Sequence, residues 1–120
     1  MANTFRMTNE ASVTTAMETI YAVPSATTTV VIGIMLSNTL AVDLVRASVQ
    51  IVSTTATSAN AGASNVNETT YLVKNAPVDN SSSLELMAGN KIVLQAGDIL
   101  RCQAGTASAL DIAISYMEIT

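Results

Sequence analysis

An antiparallel β-sandwich of about eight strands, of jelly-roll or related Greek-key type, is the fold this sequence predicts. Three observations predict it. Apolar and polar residues alternate in short runs, turn residues recur at roughly 8 to 14-residue intervals, and no segment keeps a helical period over three turns. The clearest stretch is Ser81 to Ala104, SSSLELMAGNKIVLQAGDILRCQA. Its apolar runs are separated by Gly89-Asn90 and by Ala96-Gly97-Asp98, where tight turns between antiparallel strands belong, so it predicts two hairpins in series.

Taken in order, residues 1 to 10 mix polar residues with Met1, Phe5 and Met7 without a clear period and predict an arm, free or docked on a neighbour. The rest, 11 to 120, predicts a single sandwich domain. Ser12 to Val23 alternates as a strand, with Val13, Thr15, Met17, Thr19 and Tyr21 on one side; β-branched residues weigh against a helix there. Pro24-Ser25-Ala26 makes a turn. Thr28 to Ser37, TTVVIGIMLS, is apolar on both faces and so needs cover on its second side, from a neighbouring subunit or, as a central strand of the sandwich, from a loop or the N-terminal arm.

After the break at Asn38-Thr39, Val42 to Val52 predicts a half-buried strand, with Val45, Ala47, Val49 and Ile51 facing one way and Leu44, Arg46, Ser48 and Gln50 the other. Ser53 to Asn67 is low in complexity and predicts a long exposed loop, because small polar residues bury too little area to offset their ordering entropy. Thr69 to Ala76 predicts a strand ended by Pro77. The final strand is Ala109 to Ile119, with Leu110, Ile112, Ile114 and Tyr116 on one side. A strand this apolar belongs inside a sheet, since an exposed edge invites aggregation.

Composition narrows the function classes. The chain has 120 residues, enough for one domain with a real core. Apolar residues reach 49% while charged residues fall to 12%, about half the usual share, which leaves apolar surface to be covered by something else. The longest apolar run, Val30 to Leu36, is far short of the roughly 20 residues that cross a bilayer, and no membrane partner is expected. MANTFRMTNEAS lacks the features of a signal peptide, so synthesis in a cytosol is expected. With five basic residues scattered against nine acidic ones, the net charge is −4 and nucleic-acid binding is not expected.

The chain contains no histidine, which removes the usual general base and the commonest metal ligand. Carboxylates alone would have to carry any catalysis, and nothing in the sequence sets the separation of Glu85, Asp98 and Asp111 that a glycosidase would need. No catalytic residue, cofactor, metal or small-molecule substrate is expected. The acidic residues are too dispersed for a calcium loop. Tyr21, Tyr71 and Tyr116 each lie in a strand, where core packing with a bonded hydroxyl is expected before sugar stacking. Met35, Met87 and Met117 are expected to fill gaps in a core or interface, and Cys102 to be an inert buried thiol.

Four pieces, TIYAVPSATTTVVIGIMLSN, YLVKNAPV, SSSLELMAGNKIVLQAGDILR and DIAISYMEI, together resemble a group of small structural proteins of tailed bacteriophages. Tyr71 to Pro77 and Ser82 to Asp98 are the most specific of them. The resemblance implies a virion component without enzymatic activity. Combined with the excess of apolar strand surface, it leads to the expectation of a capsid cement or decoration protein. Such a protein would be a homo-oligomer, with a trimer favoured, sitting on the outer capsid and bridging major capsid proteins. A tail, collar or baseplate subunit is the first alternative and a receptor- or glycan-binding module the second. Val31, Ile34, Met35, Met117, Ile119 and Phe5 are the expected interface residues.

Overall fold

The computed structural model describes residues 2–53 and 68–120, and among these it contains strands and no helix. The strands are β1 (Asn3–Glu10), β2 (Glu18–Ala22), β3 (Thr28–Asn38), β4 (Val45–Ser53), β5 (Glu68–Val78), β6 (Ser83–Glu85), β7 (Ile92–Leu94), β8 (Ile99–Ala104) and β9 (Leu110–Ile119). They form two antiparallel sheets, so the chain is a β-sandwich. Sheet A runs β1-β9-β3-β6, with β7 also on β3; sheet B runs β2-β8-β4-β5. The expected loop Ser53 to Asn67 begins at the last residue of β4, and 54–67 lie outside the described residues.

The core lies where the strand alternation points. Sheet A contributes Val31, Ile34, Leu36, Leu110, Ile112 and Ile114, and sheet B contributes Val45, Ala47, Val49, Leu100, Cys102 and Ala104. Each fully buried aliphatic side chain is worth about 1.5–3 kcal/mol over an exposed one, so these inward rows dominate stability. One end of the sandwich is closed by a polar cluster. The Tyr21 hydroxyl donates to Glu118 Oε2 at 2.6 Å and lies 2.8 Å from Thr29 Oγ1, while Arg6 Nε donates to Glu118 Oε1 at 2.8 Å. Toward the other end, buried Asn38 donates from Nδ2 to the carbonyls of Asp43 and Val78 and accepts from Leu40 N–H, which fixes the β3–β4 connection.

Several expectations change. Residues 3 to 10 are not an arm: β1 pairs along its whole length with β9 of its own chain, from Asn3 opposite Ile119 to Glu10 opposite Ile112. Strand structure is absent from 11–17, because Val13 leaves the sheet to plug the core at 0% exposure, its N–H bonded to Leu110 O. Pro77 lies inside β5, opposite Arg46, and β5 tolerates it because it is the outermost strand of sheet B. Ser48 and Gln50, which face away from the core, are nonetheless buried at 4% and 6% exposure.

Ser81 to Ala104 folds differently from two hairpins. β6 and β7 do not pair with each other; both lie along the same edge of β3, β6 on Met35–Ser37 and β7 on Thr29–Val31. They are one edge strand interrupted by residues 86–91, where Ala88 and Gly89 take positive φ. The second turn is a corner: Gly97, at φ 90°, and Asp98 lead from β7 in sheet A to β8 in sheet B. Asp98 Oδ2 accepts the Gln95 N–H, and main-chain bonds with Val23 tie the corner to the end of β2.

Candidate interaction surface

Pairing register assigns every residue of sheet A to a face, since directly opposed residues share a side. On β9 the buried residues are Leu110, Ile112, Ile114 and Tyr116, so Ala113, Ser115, Met117 and Ile119 face outward. Phe5 and Val30 both oppose Met117, and Val93 opposes Val30. An apolar row, Phe5–Met117–Val30–Val93, therefore crosses the outer face of the whole sheet. Beside it lie Met7, opposite Ser115, and Met35, opposite Ala113.

A bulge in β3 adds one more. The register between β3 and β9 shifts between Val31 and Gly33, so Ile32 is the extra residue and is 37% exposed. The shift keeps Val31, Ile34 and Leu36 together on the inner side and puts Val30, Ile32 and Met35 outside. Phe5, Met7, Ile32 and Ser115 then line a shallow open trough between β1 and β3.

Large exposures show that none of the described residues covers this surface: Phe5 74%, Met7 61%, Val93 57% and Met35 40%. Four strand positions at a spacing of about 4.8 Å, each roughly 30 Å long, give a face of about 600 Å². The whole face, which also carries polar Asn3, Asn9, Ser37, Glu85 and Ser115, approaches the roughly 800 Å² each partner contributes to a standard protein interface. Sheet B differs. Its outward residues include Arg46, Gln50, Arg101 and Gln103, and exposed Tyr71 has Lys74 Nζ 5.2 Å from its ring centroid. Among the described residues the outward side of sheet B mixes these polar groups with Val52, Ile99 and Tyr71, and it is the more polar of the two outer faces.

The expected interface residues divide accordingly. Met35, Met117, Ile119 and Phe5 lie on the outer face of sheet A. Val31 and Ile34 do not: both are at 0% exposure inside the core, because strand neighbours face opposite sides and the bulge puts Val31 and Ile34 together on the inner one. Met7, Val30, Ile32 and Val93 belong to the surface and were missed. The two-residue step from Phe5 to Met7 signals a shared face; nothing local signals the bulge that exposes Ile32.

The titratable groups have main-chain or packing roles. Glu85 accepts from Met87 N–H, Asp98 from Gln95 N–H and Asp111 from Ser12 N–H, so the three carboxylates weighed for catalysis each brace a turn or loop. Among the described residues no three His, Cys, Asp or Glu side chains come together as a metal site would require. Tyr21 and Tyr116 pack in the core with ring centroids 4.4 Å apart, whereas Tyr71 is 42% exposed and is not a core residue. Burial raises the Tyr21 and Tyr116 hydroxyls above the ordinary tyrosine value and pushes the Cys102 thiol up to about 12. Met87 is buried in the core.

At the join of β1 and β2, a hydrogen bond with Glu18, and then its charge, raise the Glu10 carboxyl above the usual range. Hydrogen bonding to the Thr14 side chain and N–H lowers Glu18.

No protein-family model and no curated protein matches the chain. Among solved structures it is similar to one described as "Bacillus endospore appendages form a novel family of disulfide-linked pili", at 14% identity and a TM-score of 0.48, over 98% of this chain and 84% of the other. Similarity that slight carries nothing about function.

Proposed function

We propose that this chain is a structural subunit that works by assembly, and that it serves as a cement or decoration protein on the outer capsid of a tailed bacteriophage. The observation that carries the reading is the outer face of sheet A, where Phe5, Met7, Ile32, Met35 and Val93 are exposed and Val30 and Met117 lie half-buried between them. Burial of such a face between copies favours a symmetric oligomer, with a trimer as the expected stoichiometry. The resemblance of Tyr71–Pro77 and Ser82–Asp98 to small phage structural proteins supplies the particle, and the major capsid protein is the expected second partner.

The mechanism is mass action. A protein that binds the closed shell and not its dissociated parts stabilises the shell by about 2.7 kcal/mol per site at a hundredfold excess over Kd, and repeated sites add. Quantifying this chain against the major capsid protein in purified particles tests the reading. A ratio near one supports the capsid role, and a count in the tens reassigns the chain to tail, collar or baseplate.

A further inference from the structure

We propose that β1 is a second, separate contact: the free edges of β1 from two copies pair antiparallel across a two-fold axis, joining two sheets A into one. This rests on the assembly reading above and adds to it, because a two-fold edge contact cannot close a three-fold ring and instead joins one oligomer to the next.

A comparison of the sheet edges singles out β1. The β6/β7 edge consists of two three-residue strands broken by residues 86–91. β2 has five residues and a register shift between Thr19 and Tyr21. β5 carries Lys74, a positive φ at Asn75, and Pro77, which has no N–H to give. Charges, bulges, prolines and short length are the devices by which edges avoid pairing. β1 has none of them on its outward-bonding positions. It has eight residues in unbroken register with β9 and no positive φ.

The hydrogen-bond phase of β1 supports the same conclusion. Ala2 and Thr120 exchange both main-chain bonds, Ala2 N–H to Thr120 O at 3.2 Å and Thr120 N–H to Ala2 O at 3.0 Å. Antiparallel ladders alternate, so Thr4, Arg6, Thr8 and Glu10 bond to β9, and the N–H and C=O groups of Asn3, Phe5, Met7 and Asn9 point to the free edge. Those same residues place their side chains on the outer face of sheet A. Pairing Phe5 opposite Phe5, or Met7 opposite Met7, therefore satisfies the free main-chain groups and makes one continuous apolar face of about twice the area. The register between these two is disfavoured, since it sets Arg6 opposite Arg6. A second copy fits better than an unrelated strand because both conditions are met by one self-complementary sequence.

Sedimentation of the full chain tests this. Met7→Pro removes an outward N–H and no bond to β9, and should halve the sedimenting mass, with pairing weakened roughly tenfold or more. Met7→Leu keeps both the N–H and an apolar side chain of similar size and should leave the mass unchanged. Val93→Asp, on the opposite edge of the face, should leave an edge-paired dimer. Phe5→Cys or Met7→Cys should give an oxidised dimer, and buried Cys102 does not compete. A wild-type oligomer of the same mass as Met7→Pro, or no disulfide dimer from either cysteine variant, overturns edge pairing while the assembly reading stands. A wild-type monomer overturns both.

Discussion

Ile34 and Met35 are neighbours in sequence and are separated by the face of a sheet, which makes them a sensitive test of the bulge in β3. Ile34 is at 0% exposure opposite Ile114, and Met35 is 40% exposed opposite Ala113. Truncating a buried isoleucine to alanine removes its transfer energy and leaves a cavity in a layer that cannot fully collapse, at a cost of about 2–5 kcal/mol. Truncating Met35 in the isolated chain should cost no more than about 0.5 kcal/mol. For 120 residues the unfolding entropy near Tm is about 0.25 kcal/mol/K, so each kcal/mol moves Tm by about 4 °C. Ile34→Ala should therefore lower Tm by roughly 8 to 20 °C and Met35→Ala by roughly 2 °C or less, read by calorimetry on the purified chain. A larger shift at Met35 would mean that β3 keeps a simple two-residue alternation from Val30 and that the outer face is wrongly assigned; equal shifts would mean that the sheet does not separate the two residues.

Tyr21→Phe should lower the urea midpoint by the equivalent of about 1.5–3 kcal/mol, because its hydroxyl is bonded to Thr29 and to the Glu118 carboxylate; Tyr71→Phe, at an exposed ring, should change little. The raised Glu10 favours its protonated form in the fold, so its contribution is present at low pH and is lost as pH rises through the raised value. Glu10→Gln should thus be more stable than wild type at about pH 7, with the gap closing toward about pH 3; the reverse order would contradict it. The lowered Glu18 contributes above its unfolded value and loses that contribution as pH falls, so Glu18→Gln should be less stable at about pH 7. Cys102 should resist alkylation in the native chain at about pH 8, where a thiol value of about 12 leaves roughly one in ten thousand ionised, and react once urea unfolds it; rapid native labelling would show that the strand opens.

The inward row of β9 was legible because its burial follows a period of two from Leu110 to Tyr116, and Val45, Ala47 and Val49 of β4 face the core as the alternation dictates although Ser48 and Gln50 are buried as well. β1 was not legible, for a physical reason. The side of β1 toward the sandwich carries Thr4, Arg6, Thr8 and Glu10, and its apolar residues Phe5 and Met7 point outward. No core-facing apolar period exists there to be read. The turn residues of Ser81 to Ala104 were located correctly, at Gly89 and Gly97, but a chain reversal within one sheet and a corner between two sheets use the same residues. Partner choice depended on β3 and β2, far away in sequence. The interface residues were half legible: composition pointed to uncovered apolar strand, while the bulge at Ile32 decided which of Val30, Val31, Ile34 and Met35 it uncovers.

The place of β9 between β1 and β3 has a further consequence for biosynthesis. A ribosome delivers the outermost strand of sheet A first and its central strand last among the nine, so β1 and β3 emerge without the neighbour that both require. β3 can pair with β6 and β7 before β9 is made, but β1 joins sheet A only in one late, non-local step, after a loop spanning most of the chain has been closed. Until then the nascent chain presents Phe5, Met7 and the apolar segment of β3 to whatever is near, and its yield should depend on chaperone supply and growth temperature more than its folded stability would suggest.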